Sequence, residues 1–437
     1  MTKKFAWALL AAILCGFAAC GGGGGSSSST STSGNSSNAP SNPPTNGPAA
    51  TNGTISPSNP GAVPTALAAN AVSISVSHTS FNRFNLPMVS VTLCTAGSGA
   101  AANCTTIDNV LLDTESFGLR LFASAIPATT LDTLNPQTQT SSGATIAECA
   151  LFGSGYSWGT VRNADLRLGG EVAQNVPIQV MSDPLLNASA PGDCQQQPPF
   201  AVPTDLGANG ILGLGVAPQD CGSQCVTNSP AGFYYACTSS NCSVTNQAIT
   251  QQVSNPVQFF GADSNGIVVE MQPLDASGAQ SASGTLVFGI DTQPNNTLAG
   301  SGATVLTTSS WGDFNANYNG TAYAGTAFFD SGSNVLFFQD ASIGVNSRKD
   351  YVPGTTLARS VSIAGNNLTT ATINFNVANA NTLLSSGNYA FNDIASYMSG
   401  TFDMGLPFFF GRHVYYGMAG ASSPGGGTGP YVAFTSS

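Results

Sequence analysis

The chain has 437 residues, 50 of them Gly and 25 Pro, with apolar residues at 42% and charged residues at only 7%. That length allows a deep core and more than one domain, and the scarcity of charge argues against long charge-laced helices. A formal net charge of −11 leaves too few cations to cluster on phosphates, so nucleic acid is not an expected partner, and the two histidines, His78 and His413, offer little to a metal centre.

Lys3 and Lys4 precede an apolar run from Phe5 to Leu14, and small residues then lead through Phe17, Ala18 and Ala19 to Cys20, the order of a secretory signal. The run is too short to span a bilayer. A Cys directly after two alanines resembles the bacterial lipoprotein box. That resemblance implies that residues 1–19 are a removed signal and that Cys20 is acylated as the first mature residue. No Asp stands next to Cys20, which fits outer-membrane sorting in a Gram-negative host. Residues 20–66 are rich in Gly, Ser, Asn and Pro and bury no core, so they read as a tether with a mean reach of about 40 Å. The expected location is the bacterial cell envelope, lipid-anchored at the outer membrane and facing the periplasm or the surface.

Beyond the tether stand Cys94, Cys104, Cys149, Cys194, Cys221, Cys225, Cys237 and Cys242, an even set that in an exported chain reads as four disulfides. Cys94 with Cys104 would close one strand-to-strand loop, and the last four would staple an otherwise featureless insertion. Their spacing also admits zinc, which an oxidising compartment disfavours. From Ala71 onward short alternating runs such as VSISVS and MVSVTL, punctuated by Gly, Asn, Ser and Pro, predict a mostly β body. Helices are predicted only around Val244 to Val253 and Asn381 to Leu384.

One internal echo organises the rest. Residues 110–122 read VLLDTESFGLRLF and residues 327–338 read AFFDSGSNVLFF: an apolar strand, Asp, a hydroxyl residue, one variable position, Ser, then a second apolar strand. A single Asp-Thr-x-Ser is a common turn, because Asp and Ser satisfy local backbone donors. Two copies with matched flanks resemble the duplicated lobes of pepsin-like aspartic peptidases, and the resemblance extends over nearly all of residues 75–437. Phe152, Gly153, Ser154, Gly155, Tyr156 and Trp158 lie in a segment that looks like the flap hairpin. Gly210 to Gly215, GILGLG, is similar to the segment that threads the first lobe's active loop. Gly284 to Asp291 looks like the strand closing that lobe, and Phe402 to Phe409 loosely resembles the matching element of the second.

The resemblance implies an all-β, bilobal, double-barrel fold with a few short helices, an N-terminal lobe over 67–299 and a C-terminal lobe over 300–437. It implies Asp113 and Asp330 as a catalytic dyad, Ser116 and Ser333 bonded to their outer oxygens, Thr114 and Ser331 locking the two loops, and Gly332 giving a backbone donor where a side chain would crowd. Two facing carboxylates cannot both ionise cheaply, so a shared proton would let one activate water while the other polarises a peptide carbonyl. The implied partners are a peptide or protein in the interlobe cleft and a membrane reached through lipid, with no cofactor and no metal.

The sequence departs from the family pattern at three places. Glu115 replaces a glycine, bringing a Cβ that would crowd the loop and a carboxyl that would raise the pH at which the dyad loses its proton. Phe152 replaces the flap tyrosine, with Tyr156 the nearest hydroxyl to stand in. Asp403 and Met404 precede Gly405 where two hydrophobic residues are usual. The expected activity is therefore an exported aspartic endopeptidase, and the alternative is an inactive pepsin fold that binds peptides or glycans in its cleft. Trp158 is a substrate contact or a packing plug, His413 a surface or core residue, and Glu148 a solvated position before the flap.

Overall fold

The computed structural model describes residues 67–435 apart from 231 and 240. The signal segment, Cys20 and the tether lie outside the described residues. The body is all-β in two lobes, built on a 15-stranded sheet and a seven-stranded sheet, and its α-helices are of four or five residues.

Alternation in the sequence becomes alternation of faces. In strand Ala71–Ser77, Ile74 and Val76 are buried while Ser73 and Ser75 are exposed, as a period of two dictates. This strand pairs along its whole length with Ser281–Phe288. The sheet then continues through Gly266–Met271, His413–Gly417, Tyr431–Phe434 and Thr304–Thr307. Strands from both ends of the chain and from its middle thus lie side by side beneath both lobes.

Each lobe carries the same three-strand unit. In the first, Thr105–Asp113 runs parallel to Gly210–Leu214, with Asp113 opposite Gly213, and Phe117–Phe122 runs antiparallel to Gly210–Leu214. In the second, Thr321–Phe329 runs parallel to Phe402–Met404, and Leu336–Phe338 runs antiparallel to it. The inner strand comes so close to the loop it threads that only glycine fits: a Cβ on Gly213 would stand 2.6 Å from the Phe117 nitrogen, and one on Gly405 2.2 Å from the Val335 oxygen. These contacts explain the glycines that the motif carries.

The second lobe is filled by aromatic rings, where Phe338 meets Tyr318, Phe375 and Phe402, and Phe329 stacks on Phe408 at 4.3 Å between centroids. Such rings bury a large apolar area each and fix their mutual geometry.

The disulfides join Cys94 to Cys104, Cys149 to Cys194, Cys221 to Cys225 and Cys237 to Cys242. The last four cysteines therefore form two local pairs rather than a zinc site. A helix forms at Ala380–Leu384, where the Asn379 side chain accepts from the Asn381 and Thr382 nitrogens. The helix predicted over Val244 to Val253 does not form. Strand Cys242–Val244 is followed only by a 3-10 turn, Ile249–Gln251. The physical reason is the buried amides of Gln247 and Gln252: Gln247 donates to the Gln137 side chain and the Gln251 carbonyl, Gln252 to the Gly222 and Gln247 carbonyls, and these bonds hold the segment open.

Candidate active site

The two parallel strands deliver Asp113 and Asp330 from opposite lobes to one place, where each is largely buried. Their supports are alike on one side. The Glu115 nitrogen donates to Asp113 Oδ1 at 3.0 Å, and the Gly332 nitrogen donates to Asp330 Oδ1 at 2.8 Å. Between the loops runs a crossed set of bonds. Thr114 Oγ1 donates to the Phe329 carbonyl at 3.3 Å and accepts from the Ser331 nitrogen at 2.9 Å, while Ser331 Oγ donates to the Leu112 carbonyl at 2.7 Å. Tyr416, from the shared sheet, adds a hydroxyl to the Phe329 carbonyl at 2.9 Å.

Gly332 closes the arrangement. A Cβ there would stand 2.9 Å from Asp113 Cγ and 3.0 Å from its Oδ1, so a side chain would push the two carboxyls apart. Burial raises Asp330 well above the usual carboxyl range, and the Asp113 carboxyl beside it raises it further.

The outer oxygens are not treated alike. Ser333 Oγ donates to Asp330 Oδ2 at 2.7 Å. Ser116 Oγ is buried and makes no hydrogen bond among the described residues, so the expected bond to Asp113 is absent. Its loop differs from the other by Glu115 in place of glycine. The Glu115 side chain reaches toward the 309–313 turn, its Oε2 3.2 Å from where a Cβ on Gly312 would stand. Burial pushes the Glu115 carboxyl well up, and the charges of Asp313, Asp330, Asp113 and Asp403 act in the same direction.

The predicted flap segment is a hairpin of Thr145–Leu151 and Tyr156–Leu168, with Phe152 to Gly155 as its turn and the Phe152 nitrogen bonded to the Gly155 carbonyl at 2.8 Å. Gly153 and Ser154 lie half-buried at the tip. A Cβ on Gly155 would meet the Phe200 ring at 2.4 Å. The Phe152 ring packs on Phe200 and beneath the Arg120 guanidinium, 5.8 Å from its centroid. Tyr156 does not stand in for a flap tyrosine: it is buried in a cluster with Cys149, Cys194 and Tyr235. Trp158 is a packing residue, its ring against Tyr235 and its Nε1 donating to the Ala188 carbonyl at 3.0 Å. His413 is buried beside Glu270, 3.4 Å away.

Glu148 is not solvated. It is fully buried and paired with Arg120, whose guanidinium also reaches Asp220 at 3.3 Å, and Tyr234 donates to Asp220 at 2.6 Å. Burial first, and then the Glu148 charge, hold Asp220 well above the usual range. The signal for this network was available in FGLRLF: an arginine inside a strand buried on both faces must meet a counterion. A further residue that sequence reasoning left as a mere irregularity is Asp403, fully buried, with neither carboxyl oxygen hydrogen-bonded among the described residues.

A family model matches residues 66–434. The chain belongs to the family described as protein of unknown function, DUF3443. No curated protein matches it in sequence. Among solved structures it is similar to an aspartic proteinase from Irpex lacteus, at 15% identity and a TM-score of 0.48, over 85% of this chain and 98% of that one.

Replacing Arg120 with Met leaves Glu148 buried without its counterion. The expected loss of stability is about 3–5 kcal/mol, read from the denaturation midpoint, whereas replacing the exposed Arg167 in the same way changes little.

Proposed function

We propose that this protein is an aspartic endopeptidase that hydrolyses peptide bonds with water activated by Asp113 and Asp330. What supports this reading is the meeting of two buried carboxyls from opposite lobes, each held by the backbone nitrogen two residues on and coupled to the other in its ionisation. Such a pair keeps one proton between two sites. Its ionised member takes a proton from water, its protonated member polarises the peptide carbonyl, and the roles exchange as the leaving amine is protonated. The crossed Thr114 and Ser331 bonds keep the two carboxyls at a fixed separation while this happens. Substrate enters as an extended peptide in the cleft between the lobes.

The competing reading, an inactive fold that binds peptides or glycans, is favoured by one observation: Ser116 leaves the outer oxygen of Asp113 without its hydroxyl donor. Location follows from the amino-terminal segment, with Cys20 lipidated and the body held at the outer membrane on the 20–66 tether.

Incubation with an unfolded protein or a mixed peptide library between about pH 3 and 8 is expected to give cleavage, and Asp330→Asn is expected to lower kcat/KM by at least about 100-fold. A folded wild-type protein that cuts nothing at any pH would leave the binding module as the better reading. Glu115→Gln removes a carboxyl whose charge, once formed, holds the dyad's proton. The alkaline limb of the pH profile is then expected to fall by about one pH unit, as measured from kcat/KM against pH. In a bacterial host, Cys20→Ala is expected to abolish fatty-acid labelling and to move the protein from the membrane to the soluble fraction.

A further inference from the structure

The arms of the flap hairpin are held by their neighbours. Thr145–Leu151 pairs with Tyr156–Leu168 on one edge and with Tyr234–Cys237 on the other, and Cys149 is bonded to Cys194. On the second arm the Tyr156 nitrogen donates to the Pro198 carbonyl at 3.0 Å, and the Phe200 nitrogen donates to the Tyr156 carbonyl at 2.8 Å. The turn between the arms closes on itself through the bond from the Phe152 nitrogen to the Gly155 carbonyl. Its Phe152 side chain reaches the body at two points. One is the Phe200 ring, 5.8 Å away between centroids, and the other is the Arg120 guanidinium, whose carbon stands 5.8 Å from the Phe152 centroid.

The second point leads back toward the dyad. Arg120 lies in Phe117–Phe122, the strand that begins directly after Ser116. Its guanidinium is fixed by three groups: Nη1 donates to the Phe117 carbonyl at 2.8 Å, and Nη2 donates to Glu148 and, at 3.3 Å, to Asp220. Gln179, opposite Arg120 in the neighbouring strand, donates to the Glu148 carbonyl at 2.8 Å, so this strand pair holds Glu148 by side chain and main chain alike. The Arg120 side chain is 3% exposed, and its Nε has no hydrogen-bond partner among the described residues. A cation with so little water gains from the electron-rich face of an aromatic ring, which an aliphatic side chain does not offer.

We infer that Arg120 is a positioning residue for the flap, its guanidinium holding the Phe152 ring by its face and so fixing the turn to the strand that leaves the Asp113 loop. Glu148 and Asp220 set the guanidinium, the guanidinium sets the Phe152 ring, and the ring sets the place of the turn. The effect on substrate binding rests on the peptidase reading, whereas the effect on the turn does not.

The test is made at Phe152 in the full chain, which leaves the buried ion pairs of Arg120 intact. Phe152→Tyr keeps the ring face, and Phe152→Leu keeps an apolar side chain against Phe200 while removing the face. With a peptide substrate, Phe152→Leu is expected to raise KM about tenfold with kcat within about threefold, and Phe152→Tyr to keep both within about threefold of wild type. An unchanged KM in the Leu variant, or an equal rise in the Tyr variant, would overturn the proposal. Amide hydrogen exchange supplies a readout that needs neither activity nor substrate. The amides of residues 152–155 are expected to exchange about tenfold faster in Phe152→Leu and at the wild-type rate in Phe152→Tyr. Adding Arg120→Met to Phe152→Leu is expected to speed them no further, since the contact is already gone. Should Arg120→Met fail to fold, the comparison of Leu with Tyr decides alone. Wild-type exchange in the Leu variant, or a further gain in a folded double variant, would refute the proposal even if the enzyme cleaves peptides, and the expected pattern would uphold it even if no peptide is cleaved.

Discussion

The site depends on two acidic groups being held together. Asp330 is raised by burial and by the charge of the neighbouring Asp113, so nothing in their own chemistry favours two ionised carboxylates at this spot. What holds the pair is the crossed bonding of Thr114 and Ser331, each hydroxyl bound to main chain of the opposite lobe. These bonds lie behind the carboxyls and close to the lobes' shared floor. Gly332 then removes the one side chain that would wedge the pair open.

Acidic groups recur around this centre, and each is kept from adding a free charge. Asp330 lies beside Asp113, Glu115 is buried near Asp313, and Asp403 is buried in strand Phe402–Met404, and burial raises Asp330, Glu115 and Asp403 alike. On the far side of the first lobe the same difficulty is met by opposite means, with Arg120 holding Glu148 and Asp220 together beneath the flap hairpin.

Much of this was legible in the sequence because it is local along the chain. The Asp-hydroxyl-x-Ser turns, the glycines that approach a threaded loop and the period-two strands all lie within a few residues of the feature they produce, and the structure puts Asp113, Asp330, Thr114, Ser331, Gly332 and Ser333 together. What was not legible depends on partners far away or on register. The counterions of Arg120 lie 28 and 100 residues downstream, and nothing near Glu148 announces them. The environment of Asp403 is set by which strand face it occupies, and a shift of one residue would put Phe402 or Met404 there instead. Ser116 has the right spacing, yet its fate turns on the geometry of a loop with Glu115 in it. The helix expected near Val244 was lost to buried amides two of whose partners, Gln137 and Gly222, lie in loops far off along the chain.

The sheet beneath both lobes constrains how the chain can reach this state. Strand Ala71–Ser77 has its full-length partner only in Ser281–Phe288, and Thr304–Thr307 is closed off by the final strand, Tyr431–Phe434. Gly266–Met271 of the first lobe pairs with His413–Gly417 of the second, so a chain delivered from its amino end, by ribosome or translocon, leaves that strand unpaired on one side until the second lobe follows. Among the described residues, strand Ala71–Ser77 waits for Ser281–Phe288, and Thr304–Thr307 waits for Tyr431–Phe434. Contact order of this kind makes folding slow and late. The carboxyls therefore come together late, once strands of both lobes have been delivered.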